Sequence, residues 1–129
     1  MVFDALADPV RWGDWFPGFD HSGHWITNSP PGVGSRRVVR VGGITFEETI
    51  IAWEPPNRFA FRVDRATIPI ARALAEDYRI VGHPDECVLE WTFATDPYPV
   101  LRPLMGLYQP LMRRIFTRAA ANLEKHLAA

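Results

Sequence analysis

From Ser35 to Phe93 this 129-residue chain is a series of segments patterned with a period of two, and from Leu104 to Leu123 apolar residues recur at every third or fourth position. Alternation with period two puts one side of a strand against a core, whereas steps of three and four put one stripe of a helix there. A change of period at a single point therefore predicts a block of strands closed by one long helix. The strands are cut by the turn signals Gly42-Gly43, Pro55-Pro56-Asn57 and Gly82 to Glu86, spaced too closely for crossover helices. The expected arrangement is an antiparallel meander, and the fold class α+β.

Alternation also assigns faces. In Ile44 to Trp53 the inward set is Ile44, Phe46, Ile50 and Ala52 with Glu48 among them, while Thr45, Glu47 and Thr49 face away. In Arg58 to Asp64 it is Phe59, Phe61 and Val63. In Leu74 to Ile80 it is Leu74, Tyr78 and Ile80 with Glu76 among them. Cys87, Leu89, Trp91 and Phe93 follow, and Arg37 shares its parity with Val39 and Val41. Ala71 to Asp77 reads either as the start of a strand or as a helical turn.

Before the strands, Val2, Phe3, Leu6 and Ala7 share a helical face, and Asp8-Pro9 ends that helix and caps another carrying Val10, Trp12, Trp15 and Phe16, which stops at Pro17-Gly18. His24 to Thr27 reads as a short strand, and Ser29 to Gly34 as a loop. After the strands, Pro97, Pro99 and Pro103 mark the entry to the last helix, where proline is tolerated. Its stripe is Leu104, Tyr108, Leu111, Ile115, Ala119 and Leu123, with Pro110 expected to bend it. Trp91 and Leu111 are expected to face each other across the core. One domain over residues 1–129 is expected, since a chain of this length buries a core without a second unit.

Composition narrows the function classes. Apolar residues make up 47% of the chain and charged residues 22%, and no apolar run approaches the ~20 residues of a membrane span. The net charge of −1, with 14 basic residues spread among 15 acidic ones, argues against nucleic-acid binding. A single cysteine, Cys87, cannot form an internal disulfide, and the start lacks a secretory pattern, so a cytoplasmic setting is expected. Cys87 itself reads as core.

No nucleophile elbow, zinc helix, dithiol or phosphate-loop motif occurs. Pro31-Gly-Val-Gly34 lacks the lysine of a phosphate cradle and precedes a strand, so it reads as a hairpin turn. His21 and His24 lack a third partner and read as surface or capping residues, as do His83 and His126; no metal and no cofactor is expected. The sharper feature is the inward parity of Arg37, Glu48 and Glu76, because a buried charge must be paired or shift its pKa. These residues, with Tyr78, are the catalytic candidates: a polar patch that orients a ligand's carbonyl or hydroxyl or moves a proton, or alternatively a structural ion cluster.

Trp12-Gly-Asp-Trp-Phe-Pro17, Pro31-Gly-Val-Gly-Ser-Arg36, Trp53-Glu-Pro-Pro-Asn-Arg-Phe59, Trp91-Thr-Phe93 and the helix Leu104 to Leu127 occur in an order that resembles the START-like superfamily of polyketide cyclases, dehydrases and lipid-transport proteins. The resemblance implies a helix-grip fold, in which a curved antiparallel sheet wraps the terminal helix around an apolar cavity with the Pro31–Gly34 turn at its mouth. Members usually begin with a strand, whereas Met1-Val2-Phe3 reads as helical. Either the chain is a shortened version, or the sheet has an open edge that leaves room for a homodimer. By the same resemblance the ligand contacts are Trp12, Trp15, Phe46, Phe61, Trp91, Met105, Tyr108 and Met112. The implied function is binding of a hydrophobic small molecule such as a lipid, polyketide or aromatic metabolite. A cyclase or dehydratase using the cavity carboxylates and a co-chaperone-like interaction module are the alternatives.

Overall fold

The computed structural model describes residues 2–69, 71–83 and 86–128. Helix α1 (Val2–Ala7) and a 3-10 turn (Arg11–Asp14) precede six strands: β1 (His24–Trp25), β2 (Arg36–Val41), β3 (Ile44–Glu54), β4 (Arg58–Ala66), β5 (Ala73–His83) and β6 (Glu86–Asp96). A second 3-10 segment (Pro99–Leu104) leads into the 24-residue helix α2 (Met105–Ala128). The strands pair in chain order as one antiparallel sheet, with β1 and β6 at its edges. This is the helix-grip architecture.

Local chemistry accounts for most of the boundaries. Val41 pairs with Ile44, and the two residues between them, Gly42 and Gly43, both have positive φ, as a two-residue hairpin with the right twist demands. Arg72 N donates to Asp96 O, and Ala73 already pairs with Asp96, so the strand alternative for this stretch is realised from Ala73 onward. The turn expected over Gly82 to Glu86 is tighter: Gly82 and His83 belong to β5 and Glu86 to β6, while Pro84 and Asp85 lie outside the described residues. Helix α2 runs through Pro110, which sits on its exposed side.

Two expected faces need correction. Opposite the pair Ala60–Phe61, β3 carries Ile50, Ile51 and Ala52, so Ile51 is the extra residue of a bulge. A one-residue slip reverses the alternation beyond it, and Trp53, not Ala52, packs edge-on against Phe3 of α1 at 5.0 Å. On α2, Leu104 and Leu111 are 53% and 55% exposed. Leu104 ends the 3-10 segment, where the angular step differs, and Leu111 lies at the margin of a stripe drawn to the other side by Met112 and Phe116. The stripe that meets the sheet is Tyr108, Met112, Ile115, Phe116, Ala119 and Leu123, and Phe116 stacks on Trp91 at 4.6 Å.

Between α1, the sheet and α2 lies an aromatic core. The rings of Trp12 and Trp15 lie 4.5 Å apart and tilted by 38°, and Phe59 and Phe61 of β4 face Tyr78 of β5 at 6.0 and 6.2 Å.

Candidate functional site

The inward parity of β2 and β3 brings Arg37 and Glu48 together as direct cross-strand partners. Arg37 Nε donates to Glu48 Oε1 at 2.8 Å, with Arg37 only 1% and Glu48 only 4% exposed. The rest of the guanidinium serves a purpose that no pattern in the sequence signals. Arg37 Nη1 donates to the carbonyls of Leu6 (3.2 Å) and Ala7 (3.1 Å), where α1 ends and its last C=O groups have no partner within the helix. Trp12 Nε1 donates to Leu6 O (2.7 Å) and Trp15 Nε1 to Ala5 O (3.4 Å), so three side chains close the C-terminus of α1. The Arg37 guanidinium carbon lies 5.5, 5.1 and 5.0 Å from the ring centres of Trp12, Phe59 and Phe61, which supplies attraction where water is excluded.

Glu76 enters from β5, opposite Phe61 and Phe93. Its Oε1 accepts from Tyr78 Oη at 2.5 Å and from Trp91 Nε1 at 2.8 Å. Burial pushes the Glu76 carboxyl up, and these two donors and Arg37 pull against it. For Glu48 burial is again the largest influence and raises the carboxyl to about 7; Arg37 opposes the rise and the Glu76 charge adds to it. Burial, then Glu76, also lift the Tyr78 phenol well above its ordinary range, so Tyr78 is a neutral donor. Among the described residues neither Glu48 Oε2 nor Glu76 Oε2 has a partner, and neither is sealed off.

Arg37, Glu48 and Glu76 form the charged wall of a cavity of about 550 Å³ whose other walls are apolar apart from Thr95 and the Tyr108 hydroxyl. That volume falls within the ~300–1,000 Å³ of small-molecule sites. Of the expected ligand contacts, Trp12, Phe46, Phe61, Met105, Tyr108 and Met112 lie on its wall. Trp15 and Trp91 do not, and neither does the catalytic candidate Tyr78: Trp15 and Tyr78 are buried in the core, and Trp91 turns its indole to Glu76. Further lining comes from Val39, Val41, Val63, Leu74 and Phe93, all on the inward parity of their strands, and from Ile68 and Pro69, which no periodicity marks. Ile68 and Leu104 both line the cavity and are about half exposed, at 47% and 53%, which locates its mouth. The Pro31–Gly34 turn contributes nothing to the lining: Gly34 N donates to Ile50 O, beyond the Ile44, Phe46 and Glu48 positions through which β3 faces the cavity.

His21 Nε2 lies 2.8 Å from Asp14 Oδ1, and His24 Nδ1 lies 3.1 Å from the Ser22 carbonyl. Among the described residues no three metal-ligating side chains converge. Cys87 is a free, half-buried thiol away from the cavity. No helix among the described residues is long and apolar enough to cross a membrane.

Comparison with known proteins adds an independent line. A family model described as polyketide cyclase / dehydrase and lipid transport matches residues 1–128. Uncharacterized proteins of Mycobacterium tuberculosis and Mycobacterium bovis are 35% identical over 130 residues, a match that covers 100% of this chain and 77% of theirs. Among solved structures, a protein from the dynemicin biosynthetic locus superposes with a TM-score of 0.67 at 22% identity; the match covers 99% of this chain but only 42% of that one. A protein from Chromobacterium violaceum superposes with a TM-score of 0.62 at 15% identity, over 95% of this chain and 84% of that one. At these identities the two structures speak for the fold.

Proposed function

This chain belongs to the polyketide cyclase / dehydrase and lipid-transport family, and we propose that it binds one hydrophobic small molecule in the cavity with the molecule's polar end at Arg37, Glu48 and Glu76. The observation that carries this reading is an apolar cavity of about 550 Å³ with a single charged cluster on its wall. The apolar walls supply affinity through area removed from water, at about 25 cal/mol per Å². The cluster supplies orientation: the free oxygens of Glu48 and Glu76 accept from a hydroxyl, and the guanidinium or a protonated Glu48 donates to a carbonyl. Titration with an apolar, environment-sensitive dye is expected to show one saturable site per chain, weakened when Met112→Trp fills the cavity. Absence of saturable binding overturns the reading.

One observation favours a second reading, proton transfer on such a ligand. A carboxyl near 7 can give or take a proton at neutral pH, and Glu48 is such a group on the cavity wall. In a cyclase or dehydratase of this kind the cavity folds a carbonyl-bearing chain and Glu48 moves the proton. Glu48→Gln would then retain dye binding and lose turnover of any carbonyl-bearing chain that the wild type converts.

A further inference from the structure

The segment from Pro97 to Leu123 contains Arg102, Arg113, Arg114 and Arg118 and not one acidic residue, in a chain whose net charge is −1. All four arginines are exposed, and among the described residues none has an ion-pair partner, although most other arginines are paired. The same segment exposes large apolar side chains: Val100 at 80%, Leu104 at 53%, Leu107 at 78% and Leu111 at 55%. Steps of four, three and four residues put Leu107, Leu111, Arg114 and Arg118 on one solvent-facing stripe of α2, about a third of a turn round from the stripe that meets the sheet. Solvent-facing leucines gain nothing from folding, and a patch of them rimmed by cations marks a contact surface. Arg113, Arg114 and Arg118 also border a shallow groove with Gly106, Gln109 and Pro110.

We propose that the outward face of residues 99–118 docks on an anionic lipid bilayer and sets the mouth of the cavity against the membrane. Three features select this occupant. Leucine and valine side chains enter the acyl boundary while arginines meet anionic headgroups, the chemistry of an interfacial helix. Leu104 belongs both to the exposed patch and to the cavity wall, so the docking surface is continuous with the mouth. A second copy docked about a two-fold axis would bring four unpaired arginines against four others, and a nucleic acid would leave Val100, Leu107 and Leu111 without a partner.

Co-sedimentation with lipid vesicles tests this independently of cavity binding. The protein is expected to sediment with phosphatidylcholine vesicles that contain phosphatidylserine and not with phosphatidylcholine alone, and to be released by salt. Each arginine near an anionic surface contributes roughly a fivefold factor, so Arg113→Gln/Arg114→Gln/Arg118→Gln should weaken binding about a hundredfold. Leu107→Ser/Leu111→Ser should also weaken it, and both variants should keep wild-type circular dichroism because the altered side chains are exposed. Equal binding to both vesicle types, no binding to either, or a triple variant that binds like the wild type overturns the proposal. So does binding to double-stranded DNA as tight as to the anionic vesicles and unaffected by Leu107→Ser/Leu111→Ser.

Discussion

Replacing Arg37 by methionine keeps an unbranched apolar stem and removes one buried charge and three hydrogen bonds, to Glu48 Oε1, Leu6 O and Ala7 O. With Arg37 at 1% and Glu48 at 4% exposure, water has little access to replace them. Stranding one member of a buried pair costs about 3–5 kcal/mol, and each carbonyl deprived of its donor adds on the order of 1 kcal/mol. Against the ~5–15 kcal/mol that holds a domain of this kind together, the variant sits near its unfolding limit. The pH dependence isolates the electrostatic part. Burial raises Glu48 to about 7 in the folded protein from its ordinary 4.5 when unfolded, so the folded state holds the proton more tightly. This group's contribution is therefore most favourable below 4.5, declines by about 1.4 kcal/mol per pH unit between 4.5 and 7, and is constant above 7. Without the guanidinium both its charge and its hydrogen bond cease to hold the carboxyl down, so the folded titration moves above 7 and the decline continues there. Urea denaturation of wild type and Arg37→Met should show a stability gap that is wider at about pH 8.5 than at about pH 6, by at most about 2 kcal/mol. Adding Glu48→Gln to the variant should remove that widening. A gap below about 1 kcal/mol, or one of equal size at both pH values, would refute the buried-pair argument.

Further expectations follow from individual contacts. Trp91→Ala removes a ring stacked on Phe116 and a donor to Glu76 and should cost about 3–5 kcal/mol in denaturant melts, whereas Leu111→Ala, on the exposed face, should stay within about 0.5 kcal/mol. Tyr78→Phe removes one of the two donors to Glu76, which raises that carboxyl further; urea melts should show a loss of about 1–3 kcal/mol at alkaline pH that shrinks as the carboxyl protonates. Gly23→Ala would place a Cβ 2.4 Å from the Pro9 carbonyl oxygen, an overpacking worth about 1–3 kcal/mol and visible as a lower melting temperature.

The order of elements was legible in the residues because it depends on local preferences: the period changes near Ser35 and again after Phe93, and glycine or proline stands at most joints. Parity along each strand likewise placed Arg37, Glu48 and Glu76 on the inner side, since successive side chains alternate whatever the rest of the chain does. Tertiary structure decided how those inner positions meet. The bulge at Ile51 turned Trp53 onto Phe3, because register answers to the partner strand. Leu111 lost its place to Met112 and Phe116, because a helix rolls until its bulkiest stripe is covered. Ile68 and Pro69 joined the cavity from a loop with no period to read. Arg37 and Leu6 stand 31 positions apart, and what joins them is the demand of a short helix's last carbonyls for donors, which arises only once α1 is packed against β4 within reach of the Arg37 side chain. The sequence by itself determined which side chains of the unbulged strands point inward; packing determined the rest, which of them touch, and so where the chain keeps a cavity with charge on its wall.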